Sequence, residues 1–153
     1  MSCITIGIDS GSHFCGVAVF ENGIYKESFY LEFPGTYSLV KLREIVCKFN
    51  KIFKKYKPTI VVIEEPLAVR NGKVTRMLNL IGGAIFSQAC AECDTVDFIH
   101  NKTLKRLQEI KTKEESIAKA KIISLKEDLK DDEADAILLV DSYTKLVNVH
   151  GNY

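Results

Sequence analysis

At 153 residues the chain has the length of one domain with room for an apolar core. An apolar content of 46% and a charged content of 27% exclude a disordered or fibrous chain, and a net charge of +1 gives no overall bias toward one class of partner. No apolar run reaches about 18 residues, and no charged segment precedes an apolar one at the N-terminus, so neither a membrane span nor a secretory signal is expected. The five cysteines, Cys3, Cys15, Cys47, Cys90 and Cys93, then fit reduced thiols in a cytoplasmic protein. Cys90-Ala91-Glu92-Cys93 has no further ligands at zinc spacing and reads as small buried hydrophobes.

Cys3 to Asp9 is rich in β-branched residues and reads as a central strand ending in a carboxylate. Gly11-Ser12-His13 turns the chain into a second strand, Phe14 to Phe20. Asn22-Gly23 tolerates positive φ and marks a hairpin into a third strand, Ile24 to Phe33, which Pro34-Gly35 ends. From Ser38 to Tyr56, apolar residues recur at three- and four-residue spacing, the mark of an amphipathic helix. Thr59 to Ile63 is a fourth strand ending at Glu64; the helix before it implies a crossover and a parallel pairing with the first strand. Pro66 to Val74 reads as a polar loop and Met77 to Cys93 as a second helix. The Gly82-Gly83 pair inside that helix invites close approach by the sheet or by a second subunit.

Thr95 to Ile99 is a fifth strand and Asn101 to Gln108 a short helix. Thr112-x-x-Glu115 is a capping box that starts a helix at Lys113, running to about Lys126. A last helix opens at Asp131-Asp132 and ends near Val147. The expected architecture is one α/β domain over residues 1–148, a five-stranded mixed sheet with strand 2 antiparallel and helices on both faces. Residues 149–153 are expected to form a loose tail.

Charge is unevenly placed. Residues 41–57 hold seven basic residues against Glu44; Arg70, Lys73 and Arg76 form a second group, and Lys102, Lys105, Arg106, Lys111 and Lys113 a third. Lysines commonly do no more than solvate helix faces, and for the first group that explanation is at least as good as any other. Basic surface around an acidic focus, however, suits a polyanion that must also meet a metal.

Each acid at that focus has a plainer explanation when taken alone. Asp9 could make a turn toward Gly11. Glu64 could be a solvated strand end, and Asp131, Asp132 and Glu133 suit a helix N-terminus through the macrodipole. Asp135 is harder to dismiss. Leu138 and Leu139, three and four residues on, put it toward an apolar face, where an unpaired carboxylate is costly. Asp132 shares that face. Neighbouring strand residues point to opposite faces, so only one of Glu64 and Glu65 can join Asp9, and Glu64 follows the buried run directly. Asp9, Glu64, Asp132 and Asp135 together make a hard-oxygen set for Mg²⁺ or Mn²⁺. A pair of such ions about 3.5–4 Å apart can activate water and stabilise the leaving oxygen of a phosphodiester.

Three motifs, Gly7-Ile8-Asp9-x-Gly11, Val62-Ile63-Glu64 and Asp132-x-x-Asp135-Ala136, lie in an order and on elements that resemble the RuvC family of Holliday junction resolvases, within the ribonuclease H-like nucleases. The resemblance covers roughly residues 3 to 145. It implies a ribonuclease H-like fold and a Mg²⁺-dependent endodeoxyribonuclease with two ions per site. It also implies a homodimer that nicks four-way DNA junctions symmetrically. Asp9, Glu64, Asp132 and Asp135 take the places of the family's four carboxylates. Lys105 and Lys113 take those of two lysines near the scissile backbone, which makes Lys113 a catalytic candidate. Arg70-Asn71-Gly72-Lys73 fits the family's DNA-probing loop, and Arg76, Lys102, Arg106 and Lys111 extend the basic surface. Leu67 stands where bacterial members often carry an aromatic wedge. The chain is short, as phage and viral members tend to be, in which case its compartment is the host cytoplasm.

Competing readings keep the fold and change the substrate to a flap, a branched replication intermediate or an RNA–DNA hybrid. Others drop catalysis for junction binding alone, or take Asp-x-Gly as part of an actin-like nucleotide-binding fragment. The last needs a second domain and phosphate loop that this chain lacks.

Overall fold

Period-two alternation gives the sheet two apolar faces, and each is covered by helices. The computed structural model describes residues 1–150. It contains β1 (Ile4–Asp9), β2 (Phe14–Glu21), β3 (Ile24–Glu32), α1 (Leu39–Tyr56), β4 (Ile60–Glu64), α2 (Gly72–Glu92), β5 (Thr95–Ile99), α3 (Asn101–Gln108), α4 (Lys113–Ser124) and α5 (Asp131–His150). The five strands lie in the order β3-β2-β1-β4-β5. β2 runs antiparallel to β1 and β3, while β1, β4 and β5 are parallel, so the mixed α/β sheet expected from the sequence is present. No helix among the described residues is long and apolar enough to cross a membrane.

On one face Ile6, Ile8, Val17, Val19, Val61 and Ile63 meet Ile45, Phe49 and Phe53 of α1 and Ile81 and Ile85 of α2. On the other, Ala18, Phe20 and Val62 meet Leu104, Ala120 and the buried run Ala136 to Val140 of α5. This second face is the one on which two glycines set the helix spacing. Gly7 lies between Ile6 and Ile8 and so points at α5; a β-carbon there would strike the Ala136 carbonyl and Val140 Cγ2. A β-carbon at Gly16 would strike the Asp132 carbonyl and come within 2.8 Å of the Glu133 nitrogen. Two missing side chains thus let the start of α5 lie directly on β1 and β2.

Several boundaries differ from expectation. α2 begins at Gly72, inside the stretch expected to be a loop, because Asn71 Oδ1 accepts from the Lys73 and Val74 amides and caps the helix. α4 stops at Ser124, where Leu125 takes a left-handed conformation. The Thr112 capping box is present as expected. α5 continues through His150, so the tail does not begin at Val149; residues 151–153 lie outside the described residues. Of the Gly82-Gly83 pair, Gly82 packs against Pro66 and Gly83 faces open space.

Two charged residues have internal duties. Lys41 of the first basic group is 4% exposed, and its ammonium bonds the Gly35 carbonyl at 2.6 Å and His13 Nδ1 at 3.3 Å. It therefore ties the β3–α1 turn to the β1–β2 turn instead of charging the surface. Glu133, read as a helix-start acid, is 2% exposed and pairs with Lys126 at 2.9 Å. Among the cysteines only Cys15 is fully buried; Cys47 and Cys90 are exposed, contrary to the expectation for the C-x-x-C pair.

Candidate metal centre

β1 and β4 are parallel and in register up to Ile8 opposite Ile63, so the next residue of each strand, Asp9 and Glu64, comes out at the same edge. Both share parity with the positions that face α5 (Gly7 and Val62), while Glu65 alternates away and is exposed. Asp135 lies one turn inside α5, where the close seating on Gly7 and Gly16 brings it over that edge. Asp9, Glu64 and Asp135 each place a carboxylate oxygen within 4.8 Å of the other two. The three are half-buried.

Such crowding changes the acidity of Asp9 and Asp135. Burial holds the Asp9 carboxyl well above its ordinary value, and the charge and hydrogen bond of Glu64 and the charges of Asp135 and Asp132 push it further. Burial and the Glu64 charge push Asp135 up to about 6, against a smaller opposing effect from the Ser116 hydroxyl. Asp132 acts on both through its charge but stands outside the three-oxygen group, half-buried at the first turn of α5. The structure therefore assembles three of the four expected acids and leaves the fourth at the rim.

Two neighbours complete the arrangement. Asn101 donates from Nδ2 to Glu64 Oε1 at 2.7 Å, and Ser116 donates its hydroxyl to Asp135 Oδ1 at 2.9 Å. Neither residue carries a sequence signal, since each acts only through a fold contact with an acid far along the chain. Nearby, Cys15 bonds Gly11 through both its backbone groups and braces the turn after Asp9; burial pushes that thiol up to about 12.

The acids line two hollows that share Leu67. One is lined by Asp9, Ser10, Glu64, Pro66, Leu67 and Val69, and the other by Leu67, Asn101, Lys105, Lys111, Lys113 and Asp135. Leu67 belongs to both, and it and Val69 are each 43% exposed at the rim. Lys113 bonds Asp131 at 3.0 Å in an exposed pair. Lys102 and Arg106 are exposed on α3 but do not line the cleft. Arg70 and Lys73 are exposed at the start of α2, and Arg76 lines a shallow depression on its outer side with Val69 and Leu80. The Asn71 side-chain oxygen serves the helix cap.

No protein-family model matches this chain, and no curated protein matches it. Solved structures do. RuvC of Thermus thermophilus in complex with a Holliday junction substrate superposes with a TM-score of 0.81 at 15% identity, covering 96% of each chain. A further Thermus thermophilus RuvC structure gives 0.78 at 15% identity over 96% of each chain. The yeast mitochondrial Holliday junction resolvase Ydc2 gives 0.73 at 13% identity, covering 97% of this chain and 80% of that one. At these identities the likeness is one of architecture, and the chain has the fold of the RuvC-type Holliday junction resolvases.

Proposed function

We propose that this protein is a structure-selective, divalent-metal-dependent DNA endonuclease that resolves four-way junctions by paired symmetric nicks, acting as a homodimer. The observation that carries the reading is the convergence of Asp9, Glu64 and Asp135 within 4.8 Å at the carboxyl edge of the sheet. The folding likeness includes a RuvC captured with a Holliday junction substrate, which supports branched DNA as the substrate class.

The donor set fits a hard cation. It offers carboxylate oxygens and no nitrogen or sulfur, which suits Mg²⁺, with Mn²⁺ able to substitute. Mutual repulsion in a half-buried site also makes a cation the natural compensation. Asp9, Glu64 and Asp135 would hold the metal, with Asp132 at the rim for a second ion. Bound divalent ions would supply charge stabilisation at the phosphodiester and an activated water. Asn101 and Ser116 fix the orientation of Glu64 and Asp135, which ligating carboxylates require.

The remaining residues bind and orient DNA. Lys105, Lys111 and Lys113 line the cleft beside Asp135 and contact phosphates near the scissile bond. An exposed ion pair such as Lys113–Asp131 contributes little and is readily exchanged for a phosphate. Arg70, Lys73, Arg76, Lys102 and Arg106 extend these backbone contacts, and the Asn71 amide nitrogen can join them. Leu67 and Val69 present apolar surface to unpaired bases; lacking a ring, they act by burial and not by stacking. The outer side of α2, with exposed Leu80 and open Gly83, is the surface available for pairing two copies.

The test is cleavage of a synthetic mobile four-way junction with and without Mg²⁺, beside a flap and an RNA–DNA hybrid. Metal-dependent, symmetric nicking of the junction is expected. Preference for the hybrid or the flap would move the same chemistry to another substrate, and metal-independent or absent cleavage would refute the nuclease reading.

A further inference from the structure

Helix α1 carries six basic residues and one acid, Glu44. Lys41 is buried and belongs to the turn, but Arg43, Lys48, Lys51, Lys54 and Lys55 are exposed. None of these five lies within 4.0 Å of a carboxylate among the described residues. Lys48, Lys51 and Lys55 form one wall of a groove beside the edge strand β3, whose other wall includes Glu27 and Phe29. Lys55 is held upright by Tyr56, whose hydroxyl it bonds at 2.9 Å and which in turn donates to Glu27 at 2.8 Å. Five exposed cations facing only Glu44 and Glu27 leave a net positive row, which repels itself and suits an anionic partner.

The helix is also well placed. Lys41 of its first turn touches His13, in the turn that follows Asp9, so α1 starts beside the carboxyl edge that bears the acids. It then runs the length of the sheet to Tyr56, beside Glu27 near the start of β3. From Arg43 to Lys55 the row spans about 18 Å at a rise of ~1.5 Å per residue. That is about five base steps at ~3.4 Å each along one strand.

We infer that the exposed face of α1 is a second nucleic-acid surface, which holds the phosphate backbone of a duplex arm leaving the acidic cleft. This rests on the nuclease reading above and extends it to a helix that contributes nothing to the metal centre. The surface contacts phosphates only, so it adds affinity and arm direction without sequence preference. It also makes binding depend on arm length, since an arm must reach past the cleft to meet α1.

The test compares the full chain with a Lys48→Ala/Lys51→Ala/Lys54→Ala variant, all three being exposed and without an ion-pair partner among the described residues. Binding is followed by fluorescence anisotropy in EDTA, using four-way junctions with long arms (about 20 base pairs) or short arms (about 6 base pairs), across a salt series. Loss of three phosphate contacts is expected to flatten the log–log salt slope on long arms by about 2.7. Short arms and the melting temperature should be unaffected. An unchanged slope on long arms overturns the inference, as does an equal loss on short arms or a preference of the groove for an acidic peptide over duplex. Failure of the unsubstituted protein to bind any junction would remove the nuclease reading itself, so the two failures are distinguishable.

Discussion

Removing the charge of Asp135 should stabilise the metal-free protein at neutral pH, although it removes a residue proposed for catalysis. The carboxyl has a pKa of about 6 in the folded chain against an ordinary 3.8. The folded state thus holds this proton more tightly than the unfolded state. The associated stability is fully present below about pH 4 and is lost as pH rises through about 6. A shift of roughly two units corresponds to about 3 kcal/mol at pH 7, at ~1.36 kcal/mol per unit. Asp135→Asn deletes that penalty and keeps an oxygen for the Ser116 hydroxyl. For a domain of this size it should raise the metal-free melting temperature by about 6–12 °C, at ~2–4 °C per kcal/mol. The assay is calorimetric or fluorescence-monitored unfolding in EDTA at pH 7.5 and again near pH 4, then with Mg²⁺ or Mn²⁺ at pH 7.5. The gap between variant and parent should close in acid, and metal should raise the parent more than the variant. If the parent melts at or above the variant in EDTA at pH 7.5, or if metal stabilises both equally, then Asp135 is not part of a repelling site that a cation relieves.

Asp9→Asn and Glu64→Gln should each lower junction cleavage by at least about 10²–10³-fold, by analogy with loss of one charge-stabilising group. Metal-free junction binding by gel shift should change little, because the lysine contacts remain; lost binding would contradict the division of labour proposed here. Asn101→Ala leaves every ligand in place but frees Glu64, and should weaken metal affinity or activity about 10–100-fold, read by a Mn²⁺ titration. An unchanged titration would show that the Asn101–Glu64 bond is incidental. Gly16→Ala forces a methyl group into the Asp132 carbonyl, so it should cost about 1–3 kcal/mol or more and lower metal affinity as α5 lifts from β2. A variant that melts and binds Mn²⁺ like the parent would refute this seating.

Strand parity and helix phase were legible in the chain itself. The alternation that buries Ile6 and Ile8 on one face and Gly7 on the other decides, without any long-range contact, that Asp9 shares the face of Gly7. The same reasoning separates Glu64 from Glu65, and the three-residue step from Asp132 to Asp135 comes from helix geometry. These are local periodicities of a covalent backbone, and the sequence carries them wherever apolar residues recur. The start of α2 was less legible, because Asn71-Gly72 reads equally as a turn; the cap formed by Asn71 decides it.

Distances between elements were settled only by tertiary packing. How far α5 sits from β1 and β2 depends on the absent side chains at Gly7 and Gly16, whose meaning appears only when another backbone lies against them. That spacing brings Asp135 within 4.8 Å of Asp9 and Glu64 and leaves Asp132 at the rim. Asn101 meeting Glu64, Ser116 meeting Asp135 and the burial of Lys41 depend equally on contacts between segments remote in the chain. A residue pattern states which face a side chain takes. Only the closing of helices onto the sheet states how near it comes to the next carboxylate, and on that nearness the affinity for a cation depends.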